Sequence, residues 1–374
     1  MVSTAPIVRV QDASHVPSGG AARLVLSRLP HAKEVADAVA AARGVCRWEA
    51  ERLLVTAVPA RLVDAAGRVG GAGLAEEVGA AVDAAVDAWL HGSTDVETRL
   101  GTLPTSKRPL VVGVLNVTPD SFFDGGVHYE SSQHPGLAIE AGRRFVTEGA
   151  DLVDVGGESS RPGAEPVEVE EELARVLPVV EALAAEGVRV SVDTTKARVA
   201  RKAVEAGAVI VNDVSAGGFD DQLLPTIADL GVPYVLMHMR GTPRTMQDDP
   251  RYDDVVAEVF DFLADRLAAL ERVGVRREQV VVDPGIGFGK RVEHNLALLR
   301  RIRELTSLGR PVLVGASHKT FIGQVTGVDD PADRVEGSLA AAALAVAEGA
   351  RLVRVHDVRA TARAVAVAHA IATA

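Results

Sequence analysis

The feature that most constrains the fold lies after residue 108, where short, continuous apolar runs alternate with helical patterns of 10 to 20 residues. Continuous apolar runs are typical of strands buried on both faces of a parallel sheet. Eight such runs occur, at residues 110–117, 151–157, 188–194, 208–213, 233–239, 279–285, 311–317 and 351–357. Amphipathic helices are predicted between and after them, including residues 169–186, 195–207, 220–230, 252–273, 293–306, 331–349 and 359–371.

Eight βα units in the 267 residues from 108 onward fit a (β/α)8 TIM barrel, which typically takes about 250 residues. A doubly wound open sheet is the alternative, because periodicity does not establish closure. The fold class predicted from the sequence is therefore α/β, a TIM barrel over residues 108–374 with a small N-terminal α+β extension.

The N-terminal extension has a different pattern. Residues 1–20 lack apolar periodicity and predict a flexible tail. Residues 21–92 predict a small module, with helices at 31–45 and 74–90 and a strand at 52–58. Residues 93–107 lose hydrophobicity and predict a linker. No catalytic constellation precedes the barrel.

Composition and charge narrow the class of partner. Aromatic residues make up 3% of the chain and the net charge is −11, which disfavours a nucleic-acid partner. We find no apolar run of about 18 residues and no leader peptide, and the one cysteine, Cys46, cannot form an internal disulfide. We therefore expect a cytoplasmic protein that binds neither membranes nor nucleic acids.

Polar residues cluster near the C-terminal ends of the predicted strands. They are Asn116, Asp154, Asp193, Asn212, His238, Asp283, Ser317 and His356. Any one of them has an ordinary structural explanation as a helix cap or a satisfied rim hydrogen bond. Eight at the same end of the strands predict an active site at the C-terminal rim, where TIM barrels place their catalytic loops.

Three of these residues suit a flat heterocycle. The carboxylates of Asp193 and Asp283 can each accept paired N–H bonds, and the Asn212 amide offers a donor and an acceptor in one plane. A magnesium or manganese site built from the same oxygens is the alternative.

Other strand ends suit a diphosphate. Arg354 and His356 share one face of the last strand, and residues 156–163 (GGESSRPG) add hydroxyls and Arg161 among glycines. The side-chain oxygen of Asn116 can join diphosphate oxygens in holding magnesium.

Two further loops complete the predicted rim. Residues 283–290 (DPGIGFGK) place three glycines around Phe288, which predicts close backbone approach to a ligand with Phe288 packed on an apolar group. Lys319 can cover a ring face or pair with negative charge, and Thr320 at a helix start can bind a carboxylate or act as a plain cap.

These residues together resemble the dihydropteroate synthase family. The motifs that carry the resemblance are NVTPDSF at 116–122 with DGG at 124–126, GESSRPG at 157–163, Asp193-Thr194, Asn212-Asp213, DPGIGFGK at 283–290, Ser317-x-Lys319 and Arg354-x-His356. Their order and spacing follow the family along the whole barrel, and NVTPDSFxDGG and DPGIGFGK are highly specific. The N-terminal extension resembles no family that we can name.

The resemblance implies a transferase that condenses hydroxymethyl-dihydropterin diphosphate with 4-aminobenzoate in folate synthesis, uses Mg²⁺, is a sulfonamide target and forms a homodimer. It implies catalytic roles for Asp193, Lys319, Arg354 and His356. The implied pterin site is Asp193, Asn212, Met237, Asp283, Gly287 and Lys319. The implied diphosphate site is Asn116, Ser160, Arg161, Arg354 and His356, with Asn116 also on the metal. The implied aminobenzoate site is Phe122, Pro162, Phe288, Lys319 and Thr320.

Two positions depart from the family pattern. Ser160 replaces the usual Thr and keeps its hydroxyl. His318 replaces the usual Arg, which exchanges a permanent charge for one that titrates near pH ~6.5 when unperturbed. We expect this exchange to change the charge at the aminobenzoate end and thereby to affect sulfonamide recognition.

Two other functions use parts of the same pattern. A pterin-binding barrel that transfers a methyl group from methyltetrahydrofolate to a corrinoid protein would share the Asp/Asn trio without needing a diphosphate grip. A non-catalytic scaffold would use the N-terminal module to bind a protein partner.

Overall fold

The structure is a computed structural model that describes the chain except for residues 1–5, 14–15, 17–19, 43, 50–51, 92–93, 119–134 and 162. Its contacts divide it into two units, Met1–Ser93 with Arg301–Arg310, and Thr94–Arg300 with Pro311–Ala374. Among the helices of the described residues, none is both long and apolar enough to span a membrane.

The N-terminal unit is an antiparallel sheet with two helical segments. Its elements are β1 (Ile7–Asp12), β2 (Ala22–Ser27), α1 (Ala32–Ala41), β3 (Val45–Glu49), β4 (Arg52–Ala57) and α2 (Pro59–His91), which is interrupted at Gly71. The strand order is β1-β2-β4-β3. Leu24, Leu26 and Val55 of the sheet share a buried core with Leu62 and Val78 of α2.

Strand β1 lies in the segment for which the sequence predicts a flexible tail, so that prediction is wrong for residues 7–12. The strand contains Arg9, which breaks the apolar pattern. Arg9 is nevertheless buried, because its Nη1 donates to Glu304 Oε2 at 2.7 Å within the same unit. A partner 295 positions away along the chain leaves no local sequence signal.

The second unit opens with a short hairpin in the predicted linker. Strands β5 (Val96–Thr98) and β6 (Gly101–Leu103) pair antiparallel. Val96 and Leu103 are buried with Leu110, Leu152 and other barrel residues. Residues 94–107 therefore belong to the barrel unit, because these two apolar side chains have a core to enter.

Eight parallel strands follow, one for each apolar run. They are β7 (Leu110–Asn116), β8 (Leu152–Gly156), β9 (Val190–Asp193), β10 (Ile210–Asp213), β11 (Tyr234–Met237), β12 (Val280–Asp283), β13 (Leu313–Val314) and β14 (Leu352–Val355). Their order is β12-β11-β10-β9-β8-β7-β14-β13. A parallel bridge from Val282 to Val312 joins the two ends of that order. The sheet therefore closes, which confirms the TIM barrel and rejects the open sheet.

Helices alternate with these strands. They are α3 (Pro135–Glu148), α4 (Val169–Ala185), α5 (Ala197–Glu205), α6 (Leu223–Leu230), α7 (Val255–Arg272), α8 (Val292–Arg300), α9 (Ile302–Thr306), α10 (Thr320–Thr326), α11 (Val335–Ala347) and α12 (Val358–Ala372). Helix α7 begins where the sequence provides an N-cap: the Asp254 carboxylate accepts hydrogen bonds from the backbone N–H groups of Val256 and Ala257. The helix predicted over 293–306 is divided into α8 and α9.

Candidate active site

The strand register brings predicted site residues together at the C-terminal rim, and Asn116, Asp193 and Asn212 lie in one row. Across the four neighbouring strands β7 to β10, Asn116 pairs with Gly156, Gly156 with Asp193, and Asp193 with Asn212. On the next two strands Met237 pairs with Asp283, two residues beyond the level of Asn212, since Asn212 pairs with Val235. Because parallel strands end at the same edge, these residues line one arc of the barrel mouth, as the sequence predicts.

A charged network joins this row to the last strand. Arg354 donates from Nε to Asp154 Oδ2 and from Nη2 to Asp193 Oδ2, each at 2.7 Å. Asn212 Nδ2 donates to the same Asp154 oxygen at 2.9 Å. Asp154, which lies deeper in the barrel than the rim, therefore orients both Arg354 and Asn212. The sequence analysis placed Asp154 near a strand end, but it is the third of five residues in β8 and is fully buried.

Burial raises the pKa values of the two rim carboxylates, Asp193 and Asp283. It raises the pKa of Asp193, with Arg354 opposing the shift, and it raises the pKa of Asp283 to about 6. Asp283 also accepts the N–H of Gly285 at 2.7 Å. With a guanidinium already on Asp193 and a backbone donor on Asp283, the trio is arranged for N–H donors, which disfavours the alternative of a divalent metal bound by these oxygens.

Lys319 lies over the aromatic ring of Phe288, with Nζ 4.0 Å from the ring centroid. A Cβ added at Gly287 would lie 3.0 Å from Lys319 Cδ, so a glycine makes room for the lysine stem. Burial and the nearby Arg354 lower the pKa of Lys319 to about 8. The structure thus brings three predicted residues, Gly287, Phe288 and Lys319, into one contact.

The glycine-rich loop at 283–290 is held from several sides. Gly287 N donates to Asn295 Oδ1 at 2.7 Å, Gln247 Nε2 donates to Gly287 O at 2.8 Å, and Tyr252 donates to Gly289 O at 2.8 Å. Gly285 has φ +67°, and a Cβ there would lie 1.9 Å from the carbonyl oxygen of His238. At Gly285 the close approach is therefore to protein backbone, whereas the sequence analysis expected a ligand.

Apolar side chains cover the pocket beside this loop. Met237 and Phe288 are buried together with Val214 and Met246. Met237 also pairs with Asp283 across β11 and β12. The cluster supplies an apolar wall beside the polar row, the combination that small-molecule sites use.

The loop after β8, which carries Ser160 and Arg161, is fixed at its base by a half-buried cation, Lys196. Lys196 Nζ donates to Glu158 Oε2 and to Glu172 Oε2, each at 2.5 Å. Glu158 also accepts the N–H of Val167 at 2.9 Å. Glu172 is fully buried, and desolvation raises its pKa. These three side chains were not predicted, because each looks like an ordinary surface charge in the sequence.

His356, the predicted diphosphate residue just after β14, lies beside the loop after β13. His356 Nδ1 is 3.0 Å from Ser317 Oγ, and its ring centroid is 5.1 Å from that of His318. Arg354 was predicted to bind diphosphate, yet its Nε and Nη2 are held by carboxylates. Its Nη1 makes no hydrogen bond to the part of the chain that the structure describes.

Asn116, the predicted magnesium ligand, is the half-buried last residue of β7. A Cβ added at Gly156 would lie 3.7 Å from Asn116 Oδ1 and equally far from Asp193 Oδ2. The glycine therefore leaves space between these two oxygens. Two predicted aminobenzoate residues, Phe122 and Pro162, lie outside the described residues, while Thr320 is the exposed first residue of α10.

Comparison with known proteins gives consistent relatives. A family model described as "Pterin binding enzyme" matches residues 112–356. The dihydropteroate synthase of Escherichia coli (strain K12) is 46% identical over 278 residues, which are 73% of this chain and 95% of that protein. The dihydropteroate synthase of Synechocystis sp. is 46% identical over 266 residues, covering 71% of this chain and 91% of that one.

The chain is also similar to solved structures of dihydropteroate synthases. A Yersinia pestis dihydropteroate synthase, in a complex with a sulfonamide drug, has a TM-score of 0.71 and 42% identity, covering 75% of this chain and all of that one. The Xanthomonas albilineans enzyme in complex with 7,8-dihydropteroate has a TM-score of 0.65 and 47% identity, covering 73% of this chain and 97% of that one. Both matches span all or nearly all of the relative and leave about a quarter of this chain unmatched.

Proposed function

This chain belongs to the dihydropteroate synthase family, and from that premise we propose how its barrel mouth performs the family's reaction. It is a transferase that condenses 6-hydroxymethyl-7,8-dihydropterin diphosphate with 4-aminobenzoate to give 7,8-dihydropteroate and diphosphate. The observation that carries the assignment of roles is the row of Asp193 and Asn212, which Arg354 and Asp154 connect to β14, the strand that His356 follows.

The pterin ring binds along the polar row. Asp193 and Asp283 accept hydrogen bonds from its N–H groups. Asn212, oriented by Asp154, hydrogen-bonds to a neighbouring edge of the same ring. Met237 and Gly287 border the ring, and Lys319 covers it from the side of Phe288. A ring that donates hydrogen bonds to Asp283 compensates the cost of burying that carboxylate.

The diphosphate binds at the other arc of the rim. Arg354 offers Nη1, and His356, Ser160 and Arg161 offer further donors to its oxygens. Asn116 Oδ1 fits a magnesium ion shared with the diphosphate, since Mg²⁺ takes few protein ligands when substrate phosphates and water supply the rest. Bound there, the ion would neutralise charge on the diphosphate.

The aminobenzoate binds over Phe288, between Lys319 and the start of α10. The hydroxyl of Thr320 and the ammonium of Lys319 are the described groups that suit its carboxylate. Phe122 and Pro162 complete this subsite in our proposal. We extend it to sulfonamide binding, because a sulfonamide drug is bound to the Yersinia pestis relative.

The reaction then needs positioning more than an enzyme nucleophile. The bond between the methylene carbon and the diphosphate oxygen breaks, and the pterin delocalises the positive charge that develops on the methylene. The buried carboxylate of Asp193 stabilises that charge. The amine nitrogen of aminobenzoate attacks the carbon, a C–N bond forms, and the nitrogen loses a proton. An aromatic amine is unprotonated near neutral pH, so no general base is required.

We further propose a homodimer formed through the outer helices of the barrel. Leu344 on α11 and Val367 and Ile371 on α12 are 60–74% exposed, and the two helices pack against each other. Three exposed apolar side chains on adjacent helices are typical of a surface covered by another chain. A cytoplasmic location, inferred from the single cysteine, stays a prediction.

Product analysis tests the function. The purified full chain is given hydroxymethyl-dihydropterin diphosphate, Mg²⁺ and 4-aminobenzoate, and each component is left out in turn. We expect dihydropteroate only when all three are present, and we expect Asn116→Ala to need a higher Mg²⁺ concentration. Methyl transfer to a corrinoid protein without any diphosphate requirement, or tight pterin binding with no turnover, would contradict the proposal and favour one of the two alternative functions.

A further inference from the structure

His318, the position that departs from the family pattern, has an unusual set of partners. Its Nε2 lies 2.6 Å from Asp357 Oδ2, and its Nδ1 is hydrogen-bonded to the carbonyl oxygen of Pro331. Its backbone has φ +58°, a left-handed conformation that few residues other than glycine adopt without cost. Such a conformation persists when its surroundings hold it in place.

The two hydrogen bonds determine the protonation state. A carbonyl oxygen can only accept, so Nδ1 must carry a proton toward Pro331. The Asp357 carboxylate has its pKa lowered by His318 and is ionised, so Nε2 must carry a proton as well. A neutral imidazole has one N–H, and only the imidazolium has two. The geometry therefore requires that His318 is positively charged.

The charged groups around His318 come from several elements. Asp357, at the start of α12, is its counterion, and His356 presents its ring 5.1 Å away. Arg334, just before α11, donates from Nη1 to the His318 carbonyl oxygen at 3.0 Å, and Lys319 is the next residue in the chain. The His318 N–H donates to Ser338 Oγ at 3.0 Å. Backbone and ring thus tie the loop after β13 to two other segments.

We propose that protonated His318 is a positioning residue of the synthase, an ionic link that fixes the loop carrying Lys319 and Thr320 against the residues that follow β14. The proposal rests on the proposed function, because it assigns Lys319 and Thr320 to aminobenzoate and His356 to diphosphate. His318 keeps the positive charge of the family's arginine while its proton can be lost. The affinity for aminobenzoate then depends on that proton.

The sign of the pH dependence follows from the partners. The hydrogen bond to Asp357 raises the pKa of His318 above its usual value, against the effects of burial and of Arg334. Both ring hydrogen bonds are present below that pKa, and one is lost as the pH rises through it. The KM for aminobenzoate should therefore rise with pH while kcat at saturating substrate changes little.

Two measurements on the full chain test the proposal. The first is the ¹⁵N NMR spectrum of the histidine rings in the substrate-free protein, with His318→Asn to assign the signals. Asn tolerates the left-handed backbone, so this variant is expected to fold. We expect both His318 nitrogens to be protonated at neutral pH and to titrate above the ordinary histidine range. A single protonated nitrogen at neutral pH would overturn the proposal, whatever the enzyme's activity.

The second measurement is the pH profile of the KM for 4-aminobenzoate in the wild type, His318→Arg, His318→Asn and Asp357→Asn. We expect His318→Arg to lose the rise in KM that follows the NMR titration. We expect the KM of His318→Asn to lie, at all pH values, about tenfold above the value that the wild type has at low pH, as for one lost charge-assisted hydrogen bond. Asp357→Asn should shift the rise to lower pH. Identical profiles in the wild type and His318→Arg would overturn the proposal, whereas failure of the wild type to form product would instead contradict the proposed function.

Discussion

At the scale of single residues, catalysis depends on how Asp193 is held. Its carboxylate is buried, which disfavours ionisation, and Arg354 provides the opposing charge at 2.7 Å. Asp154 fixes the other edge of the same guanidinium. This arrangement keeps a carboxylate in a low-dielectric pocket where positive charge develops on the substrate, so its effect on the transition state is larger than in water.

The pKa values of Asp283 and Lys319 predict the pH profile of catalysis. Below about pH 6 Asp283 is protonated and loses an acceptor for the pterin, and above about pH 8 Lys319 loses its charge. Asp193, whose pKa is also raised, adds to the acid limb. We expect kcat/KM for the pterin diphosphate, measured at saturating aminobenzoate, to be bell-shaped between these values.

A matched variant separates the two limbs of that profile. Lys319→Arg keeps a positive charge that does not titrate in this range, so the alkaline limb should move to higher pH while the acid limb stays. A profile that is flat from about pH 5 to 9 in the wild type would contradict the assignment of both groups.

At the scale of elements, the loop after β8 depends on a cation beneath it. Lys196 bridges Glu158 in the loop and Glu172 on α4, and Glu172 has no exposed side-chain surface. Removing one partner of a buried ion pair leaves an uncompensated charge, which costs more than the intact pair contributes. The loop that carries Ser160 and Arg161 is therefore coupled to the stability of α4.

This coupling predicts the effect of Lys196→Met. The free energy of unfolding should fall by about 3 kcal/mol, and Glu172→Gln in the same chain should recover a large part of it. Urea unfolding measures both. Lys202→Met is the control, since the Lys202–Glu205 pair is half-exposed and such pairs contribute about 1 kcal/mol or less. Equal losses in Lys196→Met and Lys202→Met would refute the role of the pair between Lys196 and the buried Glu172.

The sequence predicted the barrel elements well because their signals are local. Each of the eight apolar runs became a strand, and polar residues such as Asn116, Asp193 and Asp283 became the last residues of their strands. The features that the sequence did not predict are residue roles and a strand that depend on partners far away along the chain. Lys196 and Asp154 acquire roles only through residues on neighbouring strands and helices, and β1 contains an arginine whose partner is Glu304.

At the scale of the whole molecule, the boundary between the units does not follow the chain. Segment Arg301–Arg310, which includes α9, belongs to the N-terminal unit, where α9 packs against β1 and α2. Arg303 stacks over Trp89, with its Cζ 5.5 Å from the ring centroid. A fragment that starts at residue 108 would leave this segment without those partners, so we regard the full chain as the appropriate protein for experiments.

The proposed homodimer is testable at this scale. Leu344→Glu with Val367→Glu places charges on exposed positions of the two packed helices α11 and α12, and should convert the dimer to a monomer. Light scattering during size-exclusion chromatography reads out the mass. Val45→Glu, at an equally exposed apolar position on β3, should leave the mass unchanged. A wild-type monomer, or a double variant that stays dimeric, would contradict the assigned surface.

The catalytic role of Asp193 is tested by diphosphate release from the full chain with and without Asp193→Asn. The wild type, given Mg²⁺ and hydroxymethyl-dihydropterin diphosphate, should release diphosphate only when 4-aminobenzoate is present. Asp193→Asn should lower that rate at least about a hundredfold, because the amide cannot stabilise the developing charge. Asp229→Asn, which removes an exposed partner of Arg201, should keep the wild-type rate. Release by Asp193→Asn at the wild-type rate would contradict the account.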